Sequence, residues 1–145
     1  MSDIDLTGDI QLAIDGAATH GATPVLGYVD GDGVASLSFR GSTQVLSPTQ
    51  LAIWARNPEG ALQASIAERP TVSVLYFSRD TPGAIYLSIR GRARVAPESN
   101  DTVYANMIQV ERDLDPERNG VAVVIDVDSV QGAGPDGSPI SQTRS

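Results

Sequence analysis

The sequence has 145 residues, a net charge of −8 at pH 7 and a hydrophobic fraction of 41%. This length predicts one domain with a substantial core, and the negative charge argues against generic binding to nucleic acids or anionic membranes. The chain has no cysteine, which excludes disulfides, thiolate catalysis and sulfur-ligated metals. All ten basic residues are arginines, so every fixed cation is a planar guanidinium suited to phosphate.

Nothing in the sequence indicates a membrane or secretory destination. No apolar run reaches the roughly 20 residues of a membrane span, and the acidic start lacks the basic and apolar regions of a signal peptide. We therefore expect a cytoplasmic protein. The single histidine, His20, follows the first predicted helix. No group of histidines and carboxylates has the spacing of a metal site, so no metal is expected.

The first third of the chain predicts a helix followed by a β-hairpin. Apolar residues recur at helical spacing over about residues 5–18. Residues 24–30 predict a strand, and the DGDG sequence at 30–33 is typical of a hairpin turn into a second strand. A calcium loop is excluded, because Tyr28 and Phe39 occupy the positions where an EF-hand loop needs its first and last ligands.

The second predicted strand has two chemically different faces. Because side chains alternate along a strand, Leu37 and Phe39 share one face, while Ser38 and Arg40 share the other. The apolar face is expected to pack on the core. The polar face combines hydroxyl groups with a guanidinium, which are donors suited to a phosphate or another anion.

The next strand leads into a predicted helix. Trp54 and Arg56 are expected to share one face of this strand. Asn57 suits an N-cap and Pro58 suits the first turn, which predicts a helix over residues 58–67. A helix start with free amides and nearby arginines can hold an anion. The sequence therefore predicts an anion site here, and the alternative is a solvated strand beside an ordinary helix cap.

The second half of the chain predicts two long strands, a helix and a last strand. Strands are expected at residues 71–78 and 84–95, joined by a turn at 80–83. One face of the longer strand carries three arginines, which are Arg90, Arg92 and Arg94. An amphipathic helix is predicted from four apolar residues, which are Val103, Met107, Val110 and Leu114. Residues 121–130 begin with the continuous apolar run of a strand covered on both faces, and residues 132–145 lack periodicity and predict a flexible tail.

About six strands in hairpins, with helices between some of them, predict an antiparallel α+β barrel, because a parallel fold would need regular alternation of strands and helices. The chain lacks the nucleophile-elbow, phosphate-loop and dinucleotide-binding motifs. If the protein is an enzyme, we therefore expect a cofactor to supply the reactive group.

The order and spacing of these elements resemble the pyridoxamine 5'-phosphate oxidase-like, FMN-binding split β-barrels. The resemblance covers about residues 5–131 and rests on the opening helix and three stretches, PVLGYVDGDGVASLSFRGS, LAIWARNPEGALQASIAERPTVSVLYF and IYLSIRGRARV. It implies an α+β antiparallel split β-barrel domain over residues 1–131, with a flexible tail at 132–145. It also implies a homodimer that holds FMN, or in some branches a deazaflavin, at the subunit interface.

The resemblance also implies roles for individual residues. Arg40 matches the arginine of the second barrel strand that reaches the flavin phosphate, and residues 54–57 fall where the family lines the flavin ring and the ribityl phosphate. Ser42 is an expected helper beside Arg40. The predicted cofactor-binding residues are Arg40, Ser42, Trp54, Ala55, Arg56 and Asn57.

The chain also departs from the true oxidases of this family. It has no lysine to match their phosphate-binding lysine, and residues 132–145 hold only Arg144 where those oxidases carry a substrate segment with arginine and histidine. We therefore expect an FMN-dependent oxidoreductase of unknown substrate, and no oxidation of pyridoxamine phosphate. The alternatives are a deazaflavin-dependent reductase, a flavin-binding or stress-related module without turnover, and a barrel that has lost its cofactor.

The choice between FMN and a deazaflavin depends on where the arginines lie. FMN ends in one compact phosphate, so the small cluster of Arg40 and Arg56 favours it. A deazaflavin has a longer acidic tail and profits from further cations. The strand face with Arg90, Arg92 and Arg94 would favour a deazaflavin if it lined the cofactor cleft.

Overall fold

The computed structural model describes residues 2–79 and 84–145. Within these residues the chain forms one antiparallel sheet of eight strands with four α-helices, which confirms the α+β class with eight strands where about six were expected. The strands are β1 (Val25–Val29), β2 (Ala35–Phe39), β3 (Gln44–Ser47), β4 (Gln50–Ala55), β5 (Thr71–Ser78), β6 (Ile85–Val95), β7 (Val121–Ala133) and β8 (Pro139–Thr143). The α-helices are α1 (Asp9–Asp15), α2 (Ala61–Glu68), α3 (Asn100–Asn106) and α4 (Gln109–Asp113).

The strand order in the sheet is β2-β1-β5-β6-β7-β4-β3, and β8 also pairs with β7. The DGDG turn joins β1 to β2 as predicted, because the Asp30 carboxylate accepts from the Asp32 and Val34 backbone N–H groups at 2.9 and 3.0 Å. The turn predicted at residues 80–83 lies outside the described residues. No helix in the described part of the chain is long and apolar enough to cross a membrane.

Two apolar cores stabilise the sheet. The larger core packs the inward side chains of the sheet against α1 and α2. The smaller core lies on the other side of β4 and β7, where Trp54, Ala122 and Val124 pack against Val103 and Met107. The start of β7 is therefore buried on both faces, as its continuous apolar run predicted.

The predicted core face of β2 was wrong. Leu37 and Phe39 are 74% and 76% exposed, whereas Ser38 and Arg40 are partly buried. Alternation determines which side chains share a face, but not which face turns inward. β2 is a terminal strand of the sheet that pairs only with β1, and its polar face turns toward a pocket.

The predicted start of the second helix was also wrong. α2 begins at Ala61, and residues 57–60 form a turn in which Asn57 Oδ1 accepts from the Glu59 N–H at 3.0 Å. The Asn57 carbonyl accepts from the Gly60 N–H at 3.1 Å. An Asn side chain stabilises such turns as readily as it caps a helix, so the helix starts one turn later than its sequence signal.

The single amphipathic helix expected around residues 103–114 is divided into two short helices. Met107 and Ile108 have extended backbone, with ψ values of 148° and 157°. Because this break changes the chain direction, Val110 and Leu114 are exposed, and only Val103 and Met107 reach the core. The first helix is likewise shorter than the predicted range, since α1 covers only Asp9–Asp15.

The prediction of a flexible tail at residues 132–145 was also wrong, because most of this segment belongs to the sheet. β7 continues to Ala133, and β8 pairs with it from Ser129↔Thr143 to Ala133↔Pro139. Arg144 Nε then lies 2.8 Å from Asp128 Oδ1. Main-chain hydrogen bonds do not require an apolar pattern, so the polar composition concealed this strand.

Candidate functional site

Hydrogen bonds fix both the backbone and the side chain of Arg40, which directly follows β2. Its N–H donates to the Pro24 carbonyl at 2.9 Å, and its carbonyl accepts from the Thr43 hydroxyl at 2.7 Å. The side-chain Nε donates to Ser38 Oγ at 3.0 Å. These bonds fix the guanidinium group, while its terminal nitrogens have no hydrogen-bond partner among the residues that the structure describes.

Arg40 shares a pocket with Arg56. The pocket has a cavity volume of 210 Å³ and lies between the β1–β2 hairpin and the segment that joins β4 to α2. Four of the six predicted cofactor-binding residues line it, and these are Arg40, Ala55, Arg56 and Asn57. We call it the Arg40 pocket.

The start of α2 also lines the Arg40 pocket. Gly60, Ala61 and Leu62 contribute to its wall, and Gly60 is the N-cap residue of α2. The Gly60 N–H is used within the turn by the Asn57 carbonyl. The first turn of a helix exposes N–H groups and the positive end of its dipole. The predicted combination of two arginines and a helix start is therefore present, although the helix starts at a different residue.

The charges in this pocket lack a direct counter-charge. Among residues 2–79 and 84–145, neither Arg40 nor Arg56 forms an ion pair within 4.0 Å. Burial lowers the pKa of Arg40, and the neighbouring Arg56 lowers it further, while Tyr28 acts in the opposite direction. A partly buried cation beside a second cation is costly to maintain, and an anion in the pocket would stabilise both.

Ser42 and Trp54 lie away from the Arg40 pocket. The Ser42 hydroxyl is buried and accepts from the Trp54 N–H at 2.9 Å, which joins the β2–β3 turn to β4. The Trp54 ring lies in the smaller core, where it meets Tyr104 edge to face with 5.2 Å between ring centroids. Both residues therefore support the end of β4, which Arg56 directly follows.

Two further residues of the Arg40 pocket were missed by the sequence analysis. Tyr28 pairs with Ser36 across the hairpin, so its side chain shares the face that holds Arg40. The DGDG turn sets this register, and counting back from it would have found Tyr28. Gln63 comes from the first turn of α2, and its amide donates to the Asn57 carbonyl at 2.6 Å. No sequence pattern pointed to Gln63.

Two of the three arginines of β6 form ion pairs, unlike the arginines of the Arg40 pocket. Arg92 forms a bidentate contact with Asp128, with a shortest distance of 3.1 Å, and Arg94 Nη1 lies 2.8 Å from Glu98 Oε2. Only Arg90 of this strand is without an ion pair in the described part of the chain. The three-arginine face is therefore largely neutralised.

No family model and no curated protein matches this sequence. Solved structures do share its fold. A candidate pyridoxamine 5'-phosphate oxidase of Listeria innocua matches with 21% identity and a TM-score of 0.58, over 83% of this chain and 93% of the other. An FMN-binding protein of Syntrophomonas wolfei matches with 8% identity and a TM-score of 0.60, over 84% and 82%.

A heme-binding protein of Mycobacterium smegmatis is also similar, with 14% identity and a TM-score of 0.62, over 90% of this chain and 56% of the other. At these identities the likeness concerns the fold. The strand order, the two helices packed on the larger core and these matches together give the chain the split β-barrel fold of the pyridoxamine 5'-phosphate oxidase-like proteins.

Proposed function

We propose that the Arg40 pocket holds the phosphate of FMN and that the protein is a flavin-binding oxidoreductase. The observation that carries this proposal is the partly buried Arg40 beside Arg56, neither with a carboxylate partner in the described residues, at the start of α2. A phosphate monoester fits this arrangement, because two guanidinium groups and helix amides can donate to its oxygens together.

The chain's own residues have three tasks in this proposal. Arg40 and Arg56 anchor the phosphate, Asn57 and Ala55 shape the wall beside it, and Ser42 and Trp54 hold the end of β4 in place. When bound, the flavin ring supplies hydride or electron transfer, so no acid–base group of the protein is needed for that step. The substrate is a small molecule that reaches the ring.

FMN is preferred to a deazaflavin because of the ion pairs on β6. A longer acidic tail would profit from a row of available cations, but Arg92 and Arg94 already contact carboxylates. Only Arg90 of this strand is without an ion pair in the described residues, whereas Arg40 and Arg56 lie together in one pocket, which is enough for one phosphate. A deazaflavin remains the alternative cofactor, and a flavin-binding module without turnover remains the alternative function.

Heme ligated by histidine is disfavoured by the position of His20, the only histidine in the sequence. A heme iron needs an axial side chain, most often His, Cys, Met or Tyr. His20 packs against Gly16 in its own turn, where its ring would contact a Cβ on Gly16 at 2.9 Å. It does not line the Arg40 pocket, so iron held by His20 would lie away from the two arginines.

We further propose a homodimer that completes the cofactor site. A pocket of 210 Å³ is below the range of about 300–1,000 Å³ that is usual for small-molecule sites. The outer face of four neighbouring strands exposes large apolar side chains, which are Val29, Leu37, Phe39, Leu75, Phe77 and Tyr86. Such a patch marks an interface. Phe39 and Arg40 point to opposite faces of β2, so a partner packed on this face would complete the pocket by extending around β2, the terminal strand of the sheet.

The dimer is tested by light scattering on the wild type and on Phe39→Asp. We expect a dimeric mass for the wild type and a monomer for the variant, with weaker FMN binding. A monomeric wild type in the presence of FMN would contradict the dimer.

The cofactor is tested by the visible spectrum of the purified protein and by titration with FMN. We expect a flavin spectrum or, for cofactor-free protein, saturable quenching of FMN fluorescence. Arg40→Ala should lower the affinity by about ten- to a hundredfold, since it loses a charge-assisted contact. Arg92→Ala is the matched control and should bind like the wild type. Equal affinities for all three proteins would contradict the assignment of the pocket.

A further inference from the structure

Asp115 is a buried carboxylate to which the proposed function assigns no role. The residue is only 6% exposed, and it starts the loop of residues 115–120 that leads into β7. A buried carboxylate is costly unless its oxygens accept several hydrogen bonds. Its position therefore points to a specific structural task.

Three donors satisfy this carboxylate. Trp54 Nε1–H and the Gly120 N–H donate to Oδ2 at 2.9 and 2.8 Å, and the Asn119 N–H donates to Oδ1 at 2.9 Å. The Tyr104 hydroxyl donates to the Asp115 carbonyl at 2.9 Å. Asp115 thus joins the loop to the side chain of Trp54 on β4.

The loop held by Asp115 touches the backbone at the point where Arg56 begins. A Cβ built on Gly120 would lie 2.4 Å from the Ala55 carbonyl oxygen and 2.9 Å from Arg56 Cα. Only glycine allows this approach, because real Cβ atoms do not come so close to a neighbouring backbone. The loop and the end of β4 are therefore in direct contact.

Asp115 also remains charged beside Arg56. Burial raises the pKa of Asp115, but the hydrogen bonds from Trp54, Asn119 and Gly120, together with the nearby positive charge of Arg56, bring it below its ordinary value. An ionised carboxylate keeps all three hydrogen bonds, since each donor needs an acceptor oxygen.

We infer that Asp115 is a positioning residue for Arg56: by holding Trp54 and residues 119–120 against the end of β4, it fixes the point from which Arg56 reaches the anion. This inference rests on the proposed function of the Arg40 pocket. Asp115 does not line that pocket, so it acts on the anion only through Arg56.

The first test is a double-mutant cycle read by FMN affinity. Asp115→Asn keeps the size of the side chain but replaces one acceptor oxygen by a donor. We expect it to weaken FMN binding by about three- to tenfold. The same substitution should cause no further loss in an Arg56→Ala background, and the full loss in an Arg40→Ala background. Asp113→Asn, an exposed carboxylate two positions away, is the matched control and should bind like the wild type.

A second variant guards against a folding defect in Asp115→Asn. Trp54→Phe removes a single hydrogen bond to Asp115 and should show a smaller loss of FMN affinity with the same dependence on Arg56. Tighter FMN binding by Asp115→Asn would overturn the inference. An equal loss in the Arg56→Ala background would overturn it too, because Asp115 would then act on the whole fold.

NMR of the cofactor-free protein separates this inference from the proposed function. Asp115→Asn should shift the indole N–H signal of the single tryptophan, Trp54, and the Nε–H signal of Arg56, while the Arg40 signal stays in place. An unchanged Arg56 signal would overturn the inference even if FMN binds. A wild type that does not bind FMN would refute the proposed function, and the Arg56 signal would still decide the role of Asp115.

Discussion

Two groups of arginines in this protein have the same side chain and opposite surroundings. On β6, Arg92 lies 3.1 Å from Asp128 and Arg94 lies 2.8 Å from Glu98. In the Arg40 pocket, Arg40 is partly buried next to Arg56, and neither has a carboxylate within 4.0 Å among the described residues. The carboxylate partner neutralises the guanidinium charge on β6, whereas the charges of Arg40 and Arg56 have no such partner.

This difference shows that the net charge of a protein does not describe the local charge of each pocket. The net charge of −8 argues against polyanions in general, but the acidic residues are not evenly placed. They pair with Arg92 and Arg94 on β6, whereas no carboxylate lies within 4.0 Å of the two arginines of the Arg40 pocket among the described residues. The distribution of carboxylates, more than the number of arginines, therefore determines where an unpaired pair of guanidinium groups lies.

The largest expected effect comes from removing both positive charges of the Arg40 pocket. Arg40→Ala combined with Arg56→Ala should weaken FMN binding by more than about a hundredfold, because each lost charge-assisted contact costs about 1.5–3 kcal/mol. Isothermal titration with FMN measures this loss. The matched control removes two neutralised arginines, Arg92→Ala with Arg94→Ala, and should retain the wild-type affinity. A similar loss in the control would erase the distinction between the two groups.

A smaller effect is expected from removing the carboxylate that pairs with Arg92 on β6. Asp128 accepts from Arg92 and contacts Arg144, and these hydrogen bonds hold the pKa of Asp128 below its ordinary value. Asp128→Asn should lower the free energy of unfolding by about 1 kcal/mol at most, because the pair is partly screened by solvent. FMN affinity should not change. Urea unfolding and FMN titration of the same sample measure both quantities.

The same pair gives a dependence on pH. Because the pKa of Asp128 is lower in the folded state, its stabilisation is present above the unfolded value and is lost as the pH falls through the folded value. Wild type and Asp128→Asn should therefore differ in stability near neutral pH and converge in acid. A difference that grows on acidification would contradict the role of this carboxylate.

The smallest effect is expected for a solvent-exposed pair at the end of α2. Arg69 Nη1 lies 3.4 Å from Glu68 Oε2, and both side chains are largely solvated. Arg69→Ala should change the free energy of unfolding by about 0.5 kcal/mol or less and leave FMN affinity unchanged. Thermal unfolding with and without FMN checks both expectations, and a change in the shift produced by FMN would show that more than the pocket arginines recognise the ligand.

The sequence predicted the fold class well because alternation is a strong signal in long strands. Strands β5 and β6 were expected at 71–78 and 84–95 and are found at Thr71–Ser78 and Ile85–Val95. β8 was missed because its polar residues have no alternation, and its pairing with β7 depends on main-chain hydrogen bonds. Periodicity detects strands with a buried apolar face, and in β8 only Ile140 packs against the larger core.

The sequence predicted part of the candidate site for a similar reason. Arg40 and Arg56 could be named because arginines near a helix start suit a phosphate. Tyr28 could have been found from the hairpin register, whereas nothing near Asp115 in the chain pointed to its role. Tyr28 reaches the pocket through the register of the hairpin, and Asp115 reaches Trp54 across 61 positions of sequence. The contact between Asp115 and Trp54 depends on tertiary packing, which the sequence pattern does not show.

The central claim is that Arg40 recognises a phosphate, and one comparison of ligands tests it directly. FMN and riboflavin share the ring and differ in the phosphate, so the ratio of their affinities isolates the phosphate contribution. We expect the wild type to bind FMN more than about tenfold tighter than riboflavin, and Arg40→Ala to lose most of this preference while its riboflavin affinity stays unchanged. Equal affinities of the wild type for FMN and riboflavin would contradict the account.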